Sequence, residues 1–201
     1  MDDINILSSS EEDLVVFDQV VQKFEAQSGF MLSRDKKSKV MGLGKWQDKT
    51  DWPLNWIQTT TEVKVLGFVV CPKYQKTLDR TWEVVFRGFE KNLFAWGSRC
   101  LVTLQQRVSV VQTFALSKLW YVAQLLPQPN SVIKKMESRI SYFVFQGRPE
   151  RLKLSELENP ADQGGLGLTC LATKSENLYL RQSLRSCPGR RKPAVAILVS
   201  G

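Results

Sequence analysis

Residues 1–14 read Met1-Asp2-Asp3-Ile4-Asn5-Ile6-Leu7-Ser8-Ser9-Ser10-Glu11-Glu12-Asp13-Leu14. A carboxylate pair stands at the edge of a short apolar strand, and a serine run followed by acids then opens a helix. Ser8 and Glu11 have the spacing of a capping box, and acids in a first turn oppose the positive end of the helix dipole. The predicted helix runs to about Gln27. Leu14, Phe17, Val21 and Phe24 recur at three and four residues, with Val16 and Val20 widening the apolar stripe. Ser28-Gly29 closes it, the glycine supplying a left-handed cap. Short extended pieces at 30–32 and 40–43 flank the cationic turn Arg34-Asp35-Lys36-Lys37-Ser38-Lys39. The opening order is strand, helix, strand. Adjacent aspartates on a tight turn suit Mg²⁺ in two-metal phosphoryl transfer, because hard cations take carboxylate oxygens. The competing reading of Asp2 and Asp3 is solvated terminal charge.

Outward from this stretch, residues 45–61 are polar, broken by Pro53 and anchored by Trp46, Trp52 and Trp56, with a short strand expected at 54–57. Residues 62–70, Glu-Val-Lys-Val-Leu-Gly-Phe-Val-Val, read as the clearest strand, alternating at first and then continuously apolar. Helical spacing takes over from about Leu78. Trp82, Val85, Phe86, Phe89, Leu93 and Trp96 form one apolar face over 78–96. Thr103 and Gln106 form a second capping box, opening a long helix to about Leu126 that Pro127 and Pro129 stop. Arg107 and Lys118, eleven residues apart on that helix, are expected on one face. A third helix over 131–145 turns Val132, Met136, Ile140 and Phe143 inward and Lys134, Lys135 and Arg139 outward. Further helices are expected near 154–158 and over 171–185. Gly164-Gly165-Leu166-Gly167 lacks the lysine of a phosphate loop and reads as a structural turn.

Composition narrows the function classes. The chain has 201 residues, 43% of them hydrophobic, enough for one ordinary domain or two small ones. It contains no histidine, and Cys71, Cys100, Cys170 and Cys187 show no CxxC spacing, which speaks against zinc and removes imidazole-based hydrolysis. No secretory signal or membrane-spanning run is visible, so a nuclear or cytoplasmic, non-secreted protein is expected. The net charge of +8 is uneven: residues 1–35 hold eight acids and two bases, leaving the excess of bases downstream. A basic body fits a polyanionic partner, and a solvated basic surface is the plainer alternative.

Several of these stretches stand in one order with family-like spacing. Asp2-Asp3-Ile4-Asn5-Ile6-Leu7, Glu11-Glu12-Asp13-Leu14, Ser28-Gly29-Phe30-Met31-Leu32 with Lys36-Lys37-Ser38-Lys39, and Val65-Leu66-Gly67-Phe68 resemble the second half of a reverse-transcriptase palm from a non-LTR (LINE-type) retrotransposon. Downstream, 99–107, Ala115-Leu116-Ser117-Lys118-Leu119-Trp120-Tyr121 and Leu126-Pro127 resemble the thumb of that family. Phe143-Val144-Phe145-Gln146-Gly147-Arg148 and Gly164-Gly165-Leu166-Gly167-Leu168 resemble the segment after it.

The resemblance implies an α+β fold, with a partial palm over 1–77, a helical thumb over 78–148, a post-thumb helical segment over 149–185 and a disordered tail over 186–201. It implies metal-binding and catalytic roles for Asp2 and Asp3, with Mg²⁺ as the family's ion. Lys36 or its neighbour Lys37 would face the incoming nucleotide's phosphates. Leu66-Gly67 would sit in a hairpin at the primer end, and Arg99, Arg107, Lys118, Lys134, Lys135 and Arg139 would follow the backbone of a primer–template duplex. The family's third metal-binding carboxylate and its fingers precede the Asp-Asp turn, so the expectation is a fragment that binds nucleic acid, is inactive alone, and associates with itself or with the missing N-terminal half. A non-catalytic nucleic-acid-binding module and a helical interaction module are the alternatives.

Overall fold

The strand–helix–strand order of the opening residues is realised in the computed structural model, which describes residues 4–31, 39–52, 57–59, 61–97, 103–148, 152–185 and 196–200. The architecture is α+β and mostly helical, in two compact units: residues 1–77 with 190–201, and Leu78–Gly189.

The first unit contains β1 (Ile4–Ser8), α1 (Glu11–Ser28), β2 (Lys39–Gly42), β3 (Ile57–Gln58), β4 (Val63–Val65), β5 (Phe68–Val70) and β6 (Ala196–Ser200). One sheet has the order β1-β6-β2-β3. β6 is antiparallel to both neighbours, with Ile6 opposite Leu198 and Val40 opposite the same residue on the other side. β1 and β2 therefore run parallel to each other, and parallel strands need a crossover, which α1 provides. β3 continues the sheet parallel to β2. The tail, expected to be disordered throughout, thus supplies a central strand at 196–200. Its run Ala196-Ile197-Leu198-Val199 has the β-propensity for that place, and backbone partners on both sides satisfy its amides and carbonyls. No periodicity within five residues could have announced a partner so distant in sequence.

The cap of α1 lies two residues later than the Ser8–Glu11 spacing predicts. Ser10 is the capping residue, accepting from the Asp13 amide at 3.2 Å. Ser8 is unavailable because it still pairs in β1, opposite Ala196, and is buried with its hydroxyl donating to the Ser10 carbonyl at 2.7 Å. Gly29 closes the helix with φ 73° and its amide donates to the Glu25 carbonyl. The buried face is narrower than expected. Leu14 and Val21, seven residues apart, are covered, while Val16, Val20 and Phe24 are exposed. At about 100° per residue Val16 stands some 200° from Leu14, so a stripe holding both cannot face one core. Phe30 and Met31, read as the start of a strand, are exposed and outside any strand.

Residues 62–70 form a hairpin, correcting the reading of one continuous strand and agreeing with the hairpin that the resemblance implies at Leu66-Gly67. Val63 pairs with Val70, Lys64 with Val69 and Val65 with Phe68. Leu66 at φ 48° and Gly67 at φ 87° make the turn, the two positive φ values of a type I′ connection whose twist matches the strands. Pattern alone hides it, because leucine is a poor left-handed residue. Gly42 has a different reason to be glycine: a Cβ there would lie 1.9 Å from the Trp46 carbonyl oxygen. Beside it Trp46 and Trp52 pack edge to face at 6.0 Å, with Lys49 held between the Trp52 ring and an ion pair to Glu11.

The second unit is built on α2 (Tyr74–Gly97), which enters it at Leu78, followed by α3 (Leu104–Val110), α4 (Ser117–Ala123), α5 (Asn130–Phe145), α6 (Leu154–Glu158) and α7 (Leu171–Arg185). Trp82 is fully buried, and its indole N–H donates to the Pro127 carbonyl at 2.9 Å, so the polar edge of the largest core side chain is satisfied. Phe89, Leu93, Val108, Leu119, Met136, Ile140 and Leu171 complete the core. The Thr103–Gln106 capping box is present in full.

The predicted long helix is two short ones. Between α3 and α4 the residues Val111–Ala115 form a π-turn, closed by the Leu116 amide on the Val111 carbonyl at 3.0 Å. Two side chains donate to the Phe114 carbonyl at the end of that turn, Asn92 Nδ2 at 3.2 Å and Ser117 Oγ at 3.4 Å. In α5 the buried positions are Ile133, Met136, Ile140 and Val144, so the expected Val132 and Phe143 are each one residue off and half-buried. α5 ends in a Schellman motif: the Gly147 amide reaches the Tyr142 carbonyl at 2.9 Å and Gln146 adopts φ 56°. The glycine run is a structural turn. Gly165 would collide with the Asn159 carbonyl if it carried a Cβ, and Leu166 and Leu168 both donate to the Leu157 carbonyl. Among the described residues, no helix is long and apolar enough to cross a membrane.

Candidate nucleic-acid interface

The residues proposed from the sequence fall into three groups. Asp2, Asp3, Lys36, Lys37 and Arg99 lie outside the described residues. Leu66 and Gly67 form the turn of the β4–β5 hairpin in the first unit. Arg107, Lys118, Lys134, Lys135 and Arg139 belong to the helices of the second. Among the described residues no group of three or more His, Cys, Asp or Glu side chains is placed to hold a metal ion.

The hairpin turn is chemically unusual. Leu66 is 70% exposed and sits in the left-handed region, which costs an L-residue with a Cβ about 1–2 kcal/mol. An apolar side chain is therefore held out in water by a strained backbone. Such outliers cluster where a ligand or partner is met.

On the helical unit the five cations are not equivalent. Arg107 is half-buried, and its Nη1 donates to the Val144 carbonyl in the last turn of α5. A guanidinium there satisfies a terminal carbonyl and opposes the negative end of the helix dipole, so Arg107 ties α3 to α5. It does not share a face with Lys118, because the π-turn adds a residue to the turn between them and shifts the phase by about 100°. Arg139 is bound to Glu90 of α2, Nε to Oε1 at 2.7 Å. Lys118, Lys134 and Lys135 are exposed, and among the described residues none of them forms an ion pair.

Charge pairing elsewhere follows ordinary helix spacing. Glu83 receives Arg80 and Arg87 at three and four residues, and the hydrogen bond from Arg80 with the charge of Arg87 holds its carboxyl below the ordinary value. Glu137 is displaced the other way. Burial raises its pKa first, and the neighbouring charge of Glu158 raises it further, against a smaller opposing effect of Lys134. Among the described tryptophans only Trp82 is fully buried; Trp46, Trp52, Trp96 and Trp120 are half-buried. Trp96 stacks on Phe114 at 4.6 Å, and the Lys174 ammonium lies 4.3 Å from the Trp120 ring centroid. The cations of α7 carry no mark in the sequence reading, although Lys174 and Arg181, seven residues apart, are a legible same-face pair.

No protein-family model matches the chain, and no curated protein matches it.

Proposed function

We propose that this chain is the C-terminal palm and thumb portion of a reverse transcriptase of the non-LTR retrotransposon type, acting by itself as a nucleic-acid-binding module. The observation that carries the reading is the set of exposed, unpaired lysines Lys118, Lys134 and Lys135 on a unit whose other described helix cations include paired ones. Ammonium groups outside ion pairs attract phosphates without reading bases, giving salt-dependent, sequence-independent affinity. In this reading Leu66-Gly67 approaches the end of the primer, and Asp2 and Asp3 are two of the ligands of the family's Mg²⁺ pair. Two adjacent carboxylates without a third do not hold two ions about 4 Å apart, so polymerisation by this chain alone is not expected.

The test is binding of a labelled primer–template duplex across a salt series, alongside primer extension with Mg²⁺. Binding that weakens steeply with salt, with no extension, is the expected result. Extension abolished by Asp2→Ala or Asp3→Ala would give the chain an activity of its own, and extension unaffected by them would show the carboxylates to be misassigned. One observation favours a second reading, a protein-interaction module: Val16, Val20 and Phe24 form an exposed apolar row at four-residue spacing on α1. No duplex binding at low salt would leave that reading in place of the first.

A further inference from the structure

The face of α7 and the two residues before it carry a shallow groove of about 330 Å³ lined by Thr169, Cys170, Thr173, Lys174, Asn177, Leu178 and Arg181. On a helix with about 100° per residue, Cys170, Thr173, Lys174, Asn177, Leu178 and Arg181 fall within an arc of about 140°. Glu176, the one acid of α7, stands about 200° from Lys174 and does not line the groove. This shallow face therefore gathers two cations and neutral hydrogen-bonding groups around the apolar Leu178 and Cys170, and excludes the carboxylate.

Lys174 and Arg181 differ from the ion-paired arginines of this unit in what holds them. Arg80 and Arg87 are tied to Glu83, and Arg139 to Glu90. Among the described residues Lys174 and Arg181 form no ion pair. Lys174 is instead steadied over the Trp120 ring, at 4.3 Å from its centroid. A cation–π contact fixes the ammonium without neutralising it, so its charge stays available to an anion. Arg181 lies two turns away, about 10 Å along the axis, and can bind a phosphate with two parallel N–H donors. Asn177 between them, and Thr173 beside Lys174, offer further hydrogen bonds to phosphate and sugar oxygens.

We infer that this groove is a binding site for the phosphodiester backbone of a nucleic acid, separate from the lysines of α4 and α5. The inference rests on the reading that the helical unit binds nucleic acid, and it adds a contact that reading does not contain. Its preference is for backbone over base, because the groove offers cations and donors, no aromatic residue lines it, and the Trp120 ring beside it is covered by Lys174.

The test uses the full chain and a labelled single-stranded oligonucleotide. Lys174→Gln with Arg181→Gln is expected to weaken binding about threefold to tenfold at 0.1 M salt and to lower the magnitude of the log K against log salt slope by about 1.4, two contacts at about 0.7 each. Asn177→Ala and Glu176→Gln are companion variants: the first weakens binding, and the second, on the opposite face, leaves it unchanged or slightly stronger. A second readout is the alkylation rate of Cys170, followed peptide by peptide by mass spectrometry, which saturating oligonucleotide is expected to slow at least fivefold. If the unaltered chain binds no nucleic acid at low salt, the underlying reading fails. If it binds, but the double variant keeps affinity and slope and Cys170 stays unprotected, the groove inference alone is overturned. Protection of Cys170 by polyglutamate and not by the oligonucleotide would likewise overturn it, in favour of an acidic protein partner.

Discussion

Leu66 joins a left-handed backbone to an exposed apolar side chain at a single residue. Its φ of 48° suits asparagine or glycine, and its side chain is 70% exposed, so neither packing nor backbone preference explains a leucine there. Leu66→Asn is expected to stabilise the first unit by about 1 kcal/mol, read as a higher denaturation midpoint, because Asn tolerates the left-handed region. If the hairpin tip meets a ligand, the same substitution weakens binding while raising stability. Glu137 gives a second residue-scale prediction. Its folded-state pKa is raised by burial and by Glu158. The folded state thus holds this proton more tightly than the unfolded chain does, and the resulting stability, full below the ordinary glutamate range, is lost as pH rises through the raised value. Glu137→Gln is therefore expected to stabilise the protein at pH 7 and to give no comparable gain at pH 4, measured by urea midpoints at both pH values. An equal gain at both would mean that the effect is packing and not ionisation.

At the scale of elements, what the sequence revealed depended on how local the determining forces are. The Thr103–Gln106 capping box, the Gly29 cap, α6 and α7 were legible because each is set by contacts within a few residues. Thr103→Ala should cost about 1 kcal/mol of global stability, since it removes the acceptor for the Gln106 amide at 3.2 Å. A thermal unfolding midpoint unchanged by that substitution would show the cap to be replaced by water. The π-turn at Val111–Ala115 was not legible. Its carbonyl partner Asn92 comes from α2, twenty-two residues upstream, and the periodicity of 104–126 alone fits a continuous helix. Asn92→Ala is expected to destabilise by about 1 kcal/mol, because it strips a donor from the Phe114 carbonyl. Hydrogen exchange at the Leu116 amide, which closes the turn, should quicken more than exchange at Leu119. The hairpin at 62–70 escaped the residue pattern, though the family resemblance placed Leu66-Gly67 in a hairpin, and the strand at 196–200 escaped altogether. One depends on a leucine in an unfavoured conformation, the other on partners from the far end of the chain.

At the scale of the molecule, the division into a mixed unit and a helical unit was visible in the change from mixed to helical periodicity near Leu78, whereas the place of the tail in the first sheet was not. The candidate site was legible in kind and less so in detail. Counting charges pointed to a basic body, but only the folded arrangement separates cations already engaged, Arg107 with Val144 and Arg139 with Glu90, from Lys118, Lys134 and Lys135. That distinction is the central claim, and a salt series with a primer–template duplex tests it most directly. Replacing Lys118, Lys134 and Lys135 together by Gln is predicted to lower the magnitude of the slope of log K against log salt by about 2.7, at about 0.9 per phosphate contact, with Arg107→Gln changing stability more than slope. A triple variant that binds the duplex with an unchanged slope, or an unaltered chain that binds none at low salt, would contradict it.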